Sequence, residues 1–186
     1  MNPPPFLISF SGVDGYLKAL PEDLLALHSN NIRSLCAGRL PPVVSIRCLA
    51  VLFGFSPRFV GALYRRTEGY YRTFTIPKGR KRRTIHAPKV ALKIIQKWIG
   101  YYLSKAIQFD DCVFGFVSGR SAVDAAARHC GAEWVYSVDI AGVFPSTPMQ
   151  SVFSALRGVG YPQHGAEIIS KLCCYGGGLS QGSPAS

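Results

Sequence analysis

Residues 70–86 read Tyr70-Tyr71-Arg72-Thr73-Phe74-Thr75-Ile76-Pro77-Lys78-Gly79-Arg80-Lys81-Arg82-Arg83-Thr84-Ile85-His86. Residues 70–76 are rich in aromatic and β-branched side chains, with Thr73 and Thr75 alternating against Arg72, Phe74 and Ile76, which predicts a strand. Gly79 supplies a turn, and residues 83–86 form the return strand. Between them Lys78-Gly79-Arg80-Lys81-Arg82-Arg83 packs five cations into six residues. A solvated face accounts for most such runs. A hairpin, however, would hold these groups out toward a phosphate chain, with Tyr70, Tyr71 and Phe74 as stacking surfaces.

Outward from the hairpin, the same region carries the charge of the whole chain. The 186 residues hold 21 Lys and Arg against 10 Asp and Glu, a net of +11. Residues 33–109 contain 16 of those bases and a single acid, Glu68, a net of +15, and the remainder nets −4. Such a field attracts a polyanion, either nucleic acid or an anionic membrane. The 48% hydrophobic content excludes a disordered chain, and the length suffices for one large or two small domains. No uninterrupted apolar run of about 18 to 20 residues predicts a spanning helix. Residues 1–10 carry three prolines and no basic stretch, unlike a signal peptide. Six cysteines without a Cys-x-x-Cys pair or zinc-spaced histidines point to neutral thiols in a reducing cytoplasm rather than to metal or disulfides.

Further out, helices are expected over residues 21–27, closed by Asn30-Asn31, and over 45–53 and 57–66, the latter capped by Ser56 with Pro57 in the first turn. Pro41-Pro42 interrupts the chain before them. Residues 89–106 take a helical period: Val90, Ile94, Ile95, Trp98, Ile99, Tyr102, Leu103 and Ala106 on an apolar face, Lys89, Lys93, Lys97 and Lys105 on another. Ser121 and Asp124 resemble a capping box for a short helix to about Cys130, and Thr147-Pro148-Met149-Gln150 one for a helix to about Leu156. A last helix spans 164–175, before Gly176-Gly177-Gly178. Residues 134–140 are apolar enough for a central strand ending near Asp139. The mixture of strands and helices fits an α+β fold.

A lone carboxylate on such a strand is costly unless hydrogen-bonded or metal-bound, and spacing alone leaves a loop-fixing aspartate and a chemical one both open. Phe144-Pro145-Ser146 follows, turning into the capped helix. Gly115-Phe116-Val117-Ser118-Gly119-Arg120-Ser121 could present amides and Arg120 to a phosphate. Leu179-Ser180-Gln181-Gly182-Ser183-Pro184 is, by itself, a glycine-rich turn.

Taken in order, these pieces resemble the bacterial reverse transcriptases of the retron type, related to group II intron enzymes. The resemblance runs over roughly residues 45–186: Leu49-Ala50 through Gly54-Phe55-Ser56, Tyr71 to Lys78, Arg83 to Pro88 with Leu92 to Gln96, Gly115 to Ser121, Val138-Asp139-Ile140 with Phe144-Pro145-Ser146, and Lys171 to Tyr175 leading into Leu179 to Pro184. It implies a right-hand polymerase with an N-terminal extension (1–42), basic fingers (43–130) and the start of the palm (131–186), mostly helical with a basic β-hairpin and a palm strand. The implied activity is RNA-directed DNA synthesis, in which a primer 3′-hydroxyl attacks the α-phosphorus of a deoxynucleoside triphosphate and two Mg2+ ions, or Mn2+ in their place, assist.

By the same resemblance Asp139 is the first metal-binding aspartate, with the Ile140 carbonyl sharing that duty, and Phe144 packs under the sugar. Arg83 with Lys78 or Lys81 meets the triphosphate, while Gln181 and Gly182 support the nucleotide. Arg72, Arg80, Arg82, Lys93, Lys97 and Arg120 hold the RNA template or RNA/DNA hybrid by its backbone, without reading sequence. Gly142-Val143 and Ser180 stand where the family usually has Asp-Phe and Pro. After Asp139 the sole acid is Glu167, and a Tyr-x-Asp-Asp turn is absent, so these residues alone are expected to be inactive and to need the C-terminal polymerase half. Such systems often carry accessory proteins and serve antiviral defence. A non-catalytic nucleic-acid-binding scaffold derived from such an enzyme is the alternative. An anionic-membrane binder would spend the apolar face of residues 89–106 on lipid instead of a core.

Overall fold

The computed structural model describes residues 4–79 and 81–184; Arg80 and the side chains of Lys78 and Lys81 lie outside the described part. The chain begins with α1 (Val13–Lys18) and α2 (Glu22–Ala37). Asn30-Asn31 does not close α2, which runs on because Ile32 and Leu35 lie in the core, tertiary burial outweighing a weak local stop signal. Helices α3 (Ile46–Phe53) and α4 (Pro57–Arg65) start where Ser45 and Ser56 accept hydrogen bonds from the Cys48 and Phe59 amides; the Ser56 cap is as expected, while Ser45 caps α3 rather than opening it as a helical residue.

A 3-10 turn (Thr67–Tyr70) then leads into the hairpin of β1 (Tyr71–Lys78) and β2 (Lys81–Pro88), antiparallel with Tyr71 opposite Pro88 and Ile76 opposite Arg83. Strand alternation puts Arg72, Phe74, Ile76, Arg83 and Ile85 on one face and Thr73, Thr75, Arg82, Thr84 and His86 on the other. Arg82 and Arg83 therefore serve opposite faces. Phe74 is exposed, but Tyr71 is 7% exposed and belongs to the core, so it offers no stacking surface.

Helix α5 (Val90–Ala106) crosses this core on a face shifted from the expected one: Leu92, Ile95, Gln96, Trp98 and Ile99 are buried, while Val90 and Ile94 are exposed. The Trp98 indole donates to the Phe6 carbonyl and the Tyr161 hydroxyl to that of Pro41, so the N-terminal residues share one core with the rest. The expected box opens α6 (Ala122–Ala127), with Ser121 and Asp124 bonded reciprocally. The other does not form. After α7 (Val143–Ser146), Thr147 donates back to the Val143 carbonyl, and α8 (Met149–Val159) has no side-chain cap. Helix α9 (Gln163–Cys173) ends in a small hairpin of β3 (Cys174–Tyr175) and β4 (Gly178–Leu179).

The mixed α and β character is as expected, but residues 134–140 form no strand. The two sheets among the described residues are the hairpins β1-β2 and β3-β4, and neither includes this segment. Without a neighbour its amides turn to water, and Trp134 stands 79% exposed.

Candidate nucleic-acid interface

The Gly176-Gly177 turn of the β3-β4 hairpin sends the chain back so that Ser180-Gln181-Gly182 lies along the outer edge of β2. There the His86 amide, facing away from β1, donates to the Gln181 carbonyl at 3.0 Å. With its amide oxygen turned toward donors, Gln181 accepts from Arg83 Nε at 3.1 Å and Nη2 at 2.8 Å and donates to the Thr84 carbonyl at 3.3 Å. Gly182 adopts φ +92°, and a Cβ there would stand 2.7 Å from Ile85 Cγ2, so both backbone and space require glycine. His86 is fixed from behind by Tyr175, stacked at 4.1 Å, and by Thr73 Oγ1 at 3.0 Å from Nδ1.

The segment after Asp139 is tied to the same hairpin. The Leu179 amide donates to the Thr147 carbonyl, Met149 to that of Gly177, and a Cβ on Gly178 would stand 2.4 Å from the Pro145 carbonyl oxygen. Half-buried Phe144, in α7, therefore belongs to the element against which the loop is anchored. Gly142 at φ +63° opens α7 in the left-handed region, a conformation that an aspartate at this position would adopt at greater cost.

Of the expected site residues the structure joins Arg83, Gln181 and Gly182 directly, and packs the helix that carries Phe144 against the β3-β4 hairpin, from which the Gln181-Gly182 loop continues. Asp139 and Ile140 lie on the exposed, unpaired segment. Among the described residues no group of three or more His, Cys, Asp and Glu side chains could hold a metal, so Asp139 alone does not make a divalent-metal centre. Arg72, Arg82, Lys93 and Lys97 are solvent-exposed. Arg120 donates to the carbonyls of Phe109, Asp110 and Val113 and reaches the Asp111 carboxylate at 3.5 Å, organising its own loop. The sequence reading missed Thr84, Ile85 and His86 as the seat of the loop, and the buried Gln96; a polar residue amid the apolar positions of α5 was the one signal available.

No protein-family model matches the chain. Curated proteins do. The chain is 30% identical over 119 residues to the retron Ec86 reverse transcriptase of Escherichia coli, covering 62% of this chain and 37% of that protein. It is 35% identical over 107 residues to the retron Mx162 reverse transcriptase of Myxococcus xanthus, covering 57% and 22%, and 36% identical over 104 residues to the Mx65 enzyme of the same organism, covering 55% and 24%. Over these residues the chain is similar to retron reverse transcriptases. It spans between about a fifth and two-fifths of the length of the relatives it matches. No helix among the described residues is long and apolar enough to cross a membrane.

Proposed function

We propose that this chain is the template- and nucleotide-holding N-terminal part of an RNA-directed DNA polymerase, with fingers over residues 43–130 and the start of a palm over 131–186. The observation that supports it most is the junction of Arg83 with the Gln181-Gly182 loop, in a chain similar to retron reverse transcriptases. Arg83 presents a guanidinium fixed through Nε and Nη2, which leaves its remaining N–H groups for a triphosphate oxygen. Gly182 keeps the loop close to β2, and Phe144 closes the floor beneath the sugar. Arg72 and Arg82, on opposite hairpin faces, and Lys93 and Lys97 on α5 contact template phosphates.

Asp139 contributes one carboxylate, with the Ile140 carbonyl, to a Mg2+ site that needs further carboxylates from outside these residues. The chain therefore binds RNA and deoxynucleotide but transfers no nucleotide by itself. The test is Mg2+-dependent incorporation on a primed RNA by this chain joined to, or mixed with, the C-terminal half of a retron-type polymerase. Incorporation that is lost in Asp139→Asn, with RNA binding retained, supports the reading. Incorporation undiminished in Asp139→Asn refutes the role given to that residue. RNA binding with no incorporation in any such pairing favours the scaffold reading, to which the solitary Asp139 carboxylate lends support. The expected setting is cytoplasmic.

A further inference from the structure

Three polar side chains meet inside the core directly behind the Gln181-Gly182 loop. Gln96, fully buried on α5, donates through Nε2 to the Tyr71 hydroxyl at 2.7 Å and to the Leu172 carbonyl at 2.7 Å. Tyr71 Oη lies 3.3 Å from Ser180 Oγ, and the Ser180 hydroxyl, 1% exposed, reaches the Cys173 carbonyl at 3.3 Å. With the Tyr71 oxygen accepting from Gln96, its own proton has two acceptors within reach, Ser180 Oγ and, at 3.5 Å, the Leu172 carbonyl, while the Ser180 hydroxyl donates to Cys173. Burial pushes the Tyr71 phenol up to about 12, against the lowering effect of its bonds to Ser180 and Gln96, so it stays a donor through the neutral range.

The bonds join α5, the first residue of β1, the end of α9 and the residue immediately before Gln181. From the other side Gln181 and Gly182 press on Arg83, His86 and Ile85, so the loop is gripped between the core and β2. A buried polar group left unpaired costs about 1–3 kcal/mol, so losing one member destabilises the seating of the others. From this geometry we infer that Gln96, Tyr71 and Ser180 are positioning residues, a buried relay that sets the Gln181-Gly182 loop, and through Gln181 the Arg83 guanidinium, for an incoming deoxynucleoside triphosphate. The inference rests on the reading of Arg83 and the loop as a triphosphate site.

Tyr71→Phe, Gln96→Met and Ser180→Ala each remove one member with little change of shape. In the 186-residue chain, amide exchange followed by NMR reads the His86 N–H, whose acceptor is the Gln181 carbonyl, and equilibrium dialysis with dTTP and Mg2+ reads the site. Each variant should speed His86 exchange and weaken dTTP binding by about tenfold, with the Tyr71→Phe/Ser180→Ala double variant no worse than either single change. Exchange at Ile95 and Trp98 should stay slow, which a general loosening of the core would not allow. Unchanged His86 exchange in folded Ser180→Ala, the variant least able to disturb the core, overturns the relay, as does strict additivity in the double variant. Arg83→Gln separates the two ideas. If it leaves dTTP binding intact the triphosphate reading fails, and His86 exchange still decides whether the relay seats the loop.

Discussion

At the scale of single residues, the site depends on how closely two strand side chains meet a loop. Arg83 is held by Gln181, and Ile85 leaves room only for hydrogen at position 182. Gly182→Ala is expected to cost about 1–2 kcal/mol from the left-handed backbone alone, with the Ile85 overlap added. Thermal denaturation would show it. Ile85→Ala, removing the overlapping methyl, should restore only the steric part; complete recovery would mean that the backbone strain is absent. Arg83 was legible as a cation on the return strand after the Gly79 turn, and its role was implied by the resemblance. Its partner was not, because Gln181 lies 98 positions away in sequence and neither residue's type specifies the other.

At the scale of elements, the hairpin and the capped helices follow from local chemistry, and their behaviour is correspondingly local. Exposed Arg72 and Arg82 on β1 and β2 are expected to contact phosphates, so Arg72→Gln and Arg82→Gln should each lower the slope of log affinity for single-stranded RNA against log salt by about 0.7. Filter binding across a salt series checks this, and an unchanged slope would remove that residue from the interface. In α6 the Ser121 hydroxyl and amide hold the Asp124 carboxyl below its ordinary value of 3.8. A carboxyl depressed on folding contributes stability above its unfolded value, and the contribution disappears as pH falls through the folded value. Amide exchange at Asp124 should therefore accelerate relative to the core below about pH 3.8. Asp124→Asn should abolish that acceleration relative to the core. The failures of local reading share a cause: Asn30-Asn31 inside α2 and the rotated face of α5 are decided by what packs against them, as the burial of Ile32 and Gln96 shows.

At the scale of the whole molecule, the chain separates into a packed body and an open segment around Asp139. The two tryptophans report on the two parts, Trp98 fully buried and Trp134 79% exposed. If residues 134–140 complete a palm sheet with a further polymerase segment, acrylamide should quench Trp134 strongly in this chain and weakly once that segment is added. Quenching that does not change on addition would place the pairing elsewhere. The sequence by itself determined the basic hairpin, the capped starts of α4 and α6, the glycine-bearing loop and the likeness to retron reverse transcriptases, because propensity, capping, charge and motif order are carried by neighbouring residues. Only the tertiary structure decided that the loop is seated on β2, that Tyr71 and Gln96 meet Ser180 behind it, and that residues 134–140 stay unpaired. Hydrogen-bond partners and strand neighbours come from distant parts of the chain, and a strand with no neighbour gains nothing from its own apolar sequence.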